Sequence, residues 1–222
     1  ELFCKNVSAG EETRMEHLKK YIDFKQPDIY DTLVKMLNDP QTPESEKFLI
    51  KKLLPMIDLV PTIGFDFLSN KDINERHDKI PAGLYLREFH KIKLNVYELQ
   101  NNDLAFARRL ILHEVLHSVL SSAIDNPITE VEKKLVSRLS PILAYYKQKY
   151  ASKGTSEEFY GLTNLHEFVS EFFTNPKFRD ILEQEEPNIF MRAIDAIWKF
   201  FTGKLNLLIN PNSVTNIEDL LG

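Results

Sequence analysis

The chain has a single cysteine, Cys4, so no disulfide can form within it, and its thiol content gives no sign of an oxidising compartment. Cys4 reads as inert. No apolar run approaches the roughly 20 residues that cross a bilayer, so no membrane partner is expected. Glycine is scarce, at seven in 222 residues, and neither common glycine-rich phosphate loop is present. A concentrated basic face is missing too. The net charge is −5 and the lysines fall in scattered pairs, Lys19-Lys20, Lys51-Lys52 and Lys133-Lys134, which argues against a nucleic-acid partner. Repeats, low-complexity segments and a signal-peptide pattern are also lacking. The first residue is Glu1 rather than Met, which fits an excised domain or a processed product. These features leave the native compartment open. What is present is an ordinary globular composition, 43% hydrophobic and 27% charged, long enough for one large domain or one domain with a helical appendage.

The first seventy residues read as helices. Residues 11–24 and 27–37 carry apolar side chains at three-to-four spacing, and "TPESEKFLIKKLLPMIDLV" opens with a proline and an acidic first turn. Their charged residues are expected on a solvated face. The pattern then changes. In "GLYLREFHKIKLNVYEL", Ile92, Leu94 and Val96 alternate with Lys91, Lys93 and Asn95, as in a half-buried strand. Asn102 or Asp103 caps a helix expected from Leu104 to Ile124, stopped by Pro127. Another is expected over 129–150, with Pro141 as a bend. A loop, "SKGTSEEFYGLTN", leads into the helix "LHEFVSEFF", which ends near Asn175-Pro176. Further helices are expected over 188–201 and 212–221. The fold class is therefore α+β and helix-rich, with an N-terminal helical subdomain over 1–78 and a catalytic part over 79–222, or the two continuous as one domain.

The chemistry lies in "ILHEVLHSVL", residues 111–120. His113 and His117 are four apart on a helix and project from one face, so both imidazoles can reach one metal about 2 Å away. Glu114 sits one position round and can touch a metal-bound water without ligating the metal. This is the mechanical content of His-Glu-x-x-His: one zinc ion lowers the pKa of its water to about 7 and the glutamate takes the proton. The plain alternative is a core helix with two satisfied histidines. The apolar flank, from Leu110 to Leu120, supplies the dry surround that a metal site needs.

A third ligand is required. Glu167 and Glu171 in "HEFVSEFF" share a helix face. One can bind the metal while the other accepts a hydrogen bond from a ligating histidine and fixes its tautomer. Otherwise this is an amphipathic helix with its glutamates in water.

"YGLTNLHEFVSEFF" resembles the second zinc-binding segment of the anthrax lethal factor type of gluzincin metallopeptidase. Similar segments occur in the metallopeptidase-like domains of large phage polyvalent proteins. The resemblance covers HEVLH and about fifteen residues near 160–175, under a fifth of the chain. It implies a zincin-like domain with a small sheet above the active helix. It implies that His113, His117 and Glu167 bind zinc, that Glu114 is the general base, and that Glu171 orients a ligand from behind. Tyr160 would point its hydroxyl at the metal's open side, where a phenol donor strengthens its hydrogen bond as negative charge develops. "GTSEEFYG" also resembles the aspzincin signature Gly-Thr-x-Asp-x-x-Tyr-Gly, which would make Glu157 the third ligand. There the acid is one methylene longer than that pattern requires, and Glu171 has no role.

Of the other histidines, His166 would be turned about 100° from Glu167 on the helix and is a poor alternate donor. His90 could line the cleft. His17 and His77 are expected at the surface. A polypeptide substrate in extended form would add to a sheet edge, with the strand from His90 to Val96 as the candidate. A monomer is assumed. The expected function is a zinc-dependent endopeptidase. A different class, a non-catalytic zinc-binding or interaction domain of a larger phage or toxin polypeptide, would also explain the motif. A metal-dependent amidase acting on non-peptide substrates is a third option.

Overall fold

The computed structural model describes residues 16–57, 63–68, 81–153 and 157–208. Two compact units divide the chain, Glu1–Ser118 and Val119–Gly222. The expected division near residue 78 lies inside the first of them.

In the first unit, Glu16–Lys20 form a 3-10 turn, a correction to the longer helix expected over 11–24. The part of that span before residue 16 lies outside the described residues. Helix α1 (Ile29–Asn38) starts at Asp28, whose carboxylate accepts from the Asp31 N–H, and helix α2 (Glu44–Ile57) follows its acidic opening. Strand β1 (Gly64–Leu68) interrupts the stretch that reads as helical. "GFDFL" carries period two, with Phe65 and Phe67 buried. It is held by a partner far along the chain, which local periodicity in a helical neighbourhood underweights.

Strands β2 (Gly83–Leu86) and β3 (Lys91–Asn95) complete a three-stranded sheet of order β1-β3-β2. β1 pairs with β3 in parallel, Phe65 opposite Ile92 and Phe67 opposite Leu94. β2 pairs with β3 antiparallel, Gly83 opposite Leu94 and Tyr85 opposite Ile92. The lysine alternation is as expected: Ile92 and Leu94 are wholly buried, while Lys91 and Lys93 are not. The single expected strand, however, is two strands joined by a 3-10 turn at Arg87–Phe89, with His90 turning the corner at φ 44°. Consequently β3 is the central strand. Both its edges are occupied, so the segment from His90 to Val96 cannot accept a substrate strand. Val96 itself begins helix α3 (Val96–Asn101), capped by the Asn95 side chain on the Tyr97 N–H.

Helix α4 (Leu104–Asp125) carries the histidine pair. Asp103 accepts from the Phe106 N–H at 2.8 Å, as a helix cap does. Ala107, Ile111, Leu112, Val115, Leu116, Val119, Leu120 and Ala123 are buried, so α4 is apolar around most of its girth, the pattern of an interior helix. The unit boundary falls within it.

The second unit is helical. Helix α5 (Glu130–Tyr150) opens with a capping box in which Thr129 and Glu132 satisfy each other's backbone N–H groups, and it continues through Pro141. Helices α6 (Leu165–Thr174), α7 (Pro176–Glu185) and α8 (Pro187–Leu208) follow in close succession, with Asn175 closing α6 and capping α7. Phe168 packs edge-on against Phe178 at 5.9 Å, and Phe172 lies 5.4 Å from Phe190, so α6 is held by rings from both helices that follow it. The helix expected over 212–221 lies outside the described residues. Architecture is thus helix-rich α+β with one small mixed sheet. No helix among the described residues is long and apolar enough to cross a membrane.

Candidate metal centre

On α4 the spacing of four acts as expected. His113 and His117 turn their Nε2 atoms toward each other at 3.0 Å, with ring centroids 4.8 Å apart. In this pose one neutral imidazole can donate its Nε2–H to the Nε2 lone pair of the other, the roles being set by the tautomers. A cation between them meets both lone pairs at once. Tetrahedral bonds of about 2.05 Å separate two donor atoms by about 3.3 Å, so the pair fits an ion after opening by a few tenths of an ångström. Glu114, between the two histidines in sequence, is 5% exposed. A carboxylate so enclosed is expensive unless it has work or partners.

The second motif is built by local bonds. Asn164 caps α6, its Oδ1 accepting the Glu167 N–H at 2.9 Å. Thr163 donates its hydroxyl to the Tyr160 carbonyl at 2.7 Å, and Lys147 donates to the Thr163 carbonyl at 2.8 Å. The Thr-Asn of "YGLTNLHE" is therefore the hinge that sets Tyr160 above the first turn of α6. There the Tyr160 hydroxyl donates to Glu167 Oε1 at 3.1 Å. Gly161 is required by a close approach: a Cβ would stand 2.6 Å from Phe178 Cζ and 2.9 Å from Glu171 Cβ. Glu171 accepts from Asn175 Nδ2 at 2.7 Å.

His113 and His117 belong to the first unit and Glu167 to the second. Two imidazoles and a carboxylate suit zinc by chemistry and number. The side chain of Glu157, the alternative ligand, lies outside the described residues, although its backbone begins the 3-10 segment Glu157–Leu162 that carries Tyr160. His166 turns to Asp125, Nε2 to Oδ1 at 2.7 Å. His90 is exposed and bonds through Nδ1 with the Tyr85 hydroxyl at 3.0 Å. His17 is exposed, and His77 lies outside the described residues.

Sequence reasoning missed two features here. Gly83 of β2 lies against Glu114, so closely that a Cβ would stand 2.5 Å from Oε1. Five residues before His113, Arg108 enters a buried polar cluster, donating to Glu46 Oε2 at 2.8 Å and to the Tyr21 hydroxyl at 3.1 Å. Tyr21 in turn donates to Asp39, which also pairs with Lys20 at 2.8 Å. Burial works to raise the Asp39 carboxyl, but hydrogen bonds from Lys20, Tyr21 and the Gln41 N–H outweigh it and hold it at about 2. The charges of the first seventy residues are thus not all on a solvated face, because Asp39 is 4% exposed.

Compared with protein-family models, curated proteins and solved structures, the chain finds no match.

Proposed function

We propose that the chain is a zinc-dependent endopeptidase of gluzincin type, with a zincin-like placement of the small sheet over α4. The observation that carries the reading is the convergence of the two Nε2 atoms of His113 and His117 on a helix that also holds the buried Glu114. In this reading His113, His117 and Glu167 hold the ion. Zinc, when bound, supplies a Lewis acid that brings a water's pKa near 7 and polarises a carbonyl.

Every remaining step belongs to side chains. Glu114 accepts the proton of the attacking water at its carboxylate and delivers it to the departing amine nitrogen. The buried Ile111, Leu112, Val115 and Leu116 exclude bulk water and strengthen that exchange. Tyr160 moves its hydroxyl from Glu167 to the substrate carbonyl oxygen and donates to it as charge develops. Glu171 accepts the remaining ring N–H of a ligating histidine and so fixes the tautomer that presents Nε2. An extended polypeptide adds to the outer edge of β2, which pairs with no other strand among the described residues.

The test is cleavage of a panel of denatured proteins by zinc-loaded protein, with Glu114→Gln as the control. Cleavage that disappears in Glu114→Gln while zinc is retained supports the reading. Near-parental cleavage by Glu114→Gln overturns the mechanism. Zinc binding with no cleavage of any panel member favours the non-catalytic binding domain instead.

A further inference from the structure

Gly83 is the first residue of β2, and its backbone is in a conformation open to any L-residue. Conformational freedom therefore does not explain a glycine here. What does is the space at its Cα. A Cβ would stand 2.5 Å from Glu114 Oε1, 2.7 Å from Cγ and 2.8 Å from Cδ. Real carbon–oxygen and carbon–carbon contacts lie well beyond these distances, so either the strand or the glutamate must give way.

The strand is the stiffer partner. Ala82 accepts the Asn95 N–H at 2.8 Å, and Asn95 Nδ2 reaches the Pro81 carbonyl at 3.4 Å. Asn95 is 3% exposed and also caps α3. Gly83 itself sits opposite the wholly buried Leu94 of the central strand. Glu114, by contrast, is a side chain with three rotatable bonds, and a methyl group at 83 would push it from its seat. Gly83 shares a sheet face with Tyr85 by the alternation of β2, so the bare position is the point on that face where the carboxylate rests.

We propose that Gly83 is a positioning residue for Glu114: its missing side chain is the slot that holds the general base in line with the histidine pair. The inference deepens the peptidase reading and rests on it. It assigns β2 a second task beside offering an edge to substrate, since the strand's backbone becomes the back wall of the base.

The test is a double-mutant cycle on Gly83→Ala and Glu114→Ala, followed by urea unfolding of metal-free protein and by zinc binding and peptide hydrolysis. In the Glu114 background, Gly83→Ala lowers the urea midpoint, leaves zinc stoichiometry unchanged and cuts kcat by about a hundredfold, the scale of an ångström's misplacement, with KM little changed. In the Glu114→Ala background, the same change leaves the midpoint where it was. Should Gly83→Ala fail to fold on its own, recovery of folding in the double variant gives the same answer. Parental kcat in Gly83→Ala, or an equal loss of midpoint in both backgrounds, overturns the proposal and leaves the peptidase reading standing. Absence of hydrolysis by the parent protein sinks both.

Discussion

Arg108 and His113 leave the same helix five residues apart and enter clusters of opposite kind. Around Arg108 every charge meets its complement: the guanidinium donates to Glu46 and Tyr21, Tyr21 donates to Asp39, and Lys20 closes the chain. Around His113 two nitrogens of the same kind meet at 3.0 Å. The first arrangement completes itself, and its value is architectural, because it ties Tyr21, the turn at Asp39 and α2 to α4. Under the proposed function the second would be completed by a cation. Burial differs as well: Arg108 and Asp39 are buried, whereas His113, His117 and Glu167 are half-buried. What also separates them is that the first is a chain of unlike charges and the second a pair of like rings, whose donor and acceptor roles depend on the tautomers.

Breaking each cluster should therefore damage different things. The largest effect is expected from Glu114→Gln, which keeps shape and zinc but removes the base. Turnover should fall by about a thousandfold or more, while a zinc titration stays as in the parent. Next is Arg108→Ala, which strands Glu46 without its partner in a site where Glu46 is 14% exposed. Unfolding in urea should show a loss of about 3 kcal/mol, with zinc stoichiometry in the folded fraction unchanged. An apolar isostere, Arg108→Met, should lose less. Tyr160→Phe should lower kcat by roughly a hundredfold and leave the urea midpoint near the parental value, because the hydroxyl is at an exposed position. A comparable loss of stability in Tyr160→Phe would erase the distinction between the clusters.

The smallest expected effect concerns acid. The folded Asp39 carboxyl is held at about 2, below its ordinary value of 3.8. A depressed carboxyl contributes stability above its unfolded pKa and loses it as pH falls through the folded one. The urea midpoint should therefore decline between about pH 4 and pH 2, and Asp39→Ala should flatten the part of that decline owed to this residue. Glu132, also held at about 2 against burial by Lys204 and the N–H groups of Thr129 and Ile128, contributes in the same window, so the flattening is partial.

Much of the candidate site could be read from the sequence because its geometry is local. A spacing of four brings His113 to His117 in any helix, and Asn164 and Asp103 cap where short polar side chains cap. Thr129 and Glu132 announce a helix start in the same way. The rest depends on partners far along the chain. β1 is a strand because Gly64–Leu68 finds Lys91–Asn95 twenty-seven residues later, and nothing within five residues encodes that pairing. The same strand made β3 central and moved the open edge to β2. Arg108 reaches Tyr21 across 87 positions, so no window of sequence joins them. Gly83 carries the subtlest signal. In a chain with seven glycines, one inside a strand pattern marks a close approach, but only the fold identifies Glu114 as what approaches.

At the centre of the proposed function is one divalent cation held by His113, His117 and Glu167. Calorimetric titration of the metal-free chain with zinc tests this most directly, alongside His117→Ala and Glu167→Ala. One ion per parent chain is expected, with no saturable binding in His117→Ala and binding weakened at least tenfold in Glu167→Ala. A parent chain that takes up no zinc, or a His117→Ala chain that binds it as the parent does, would contradict it.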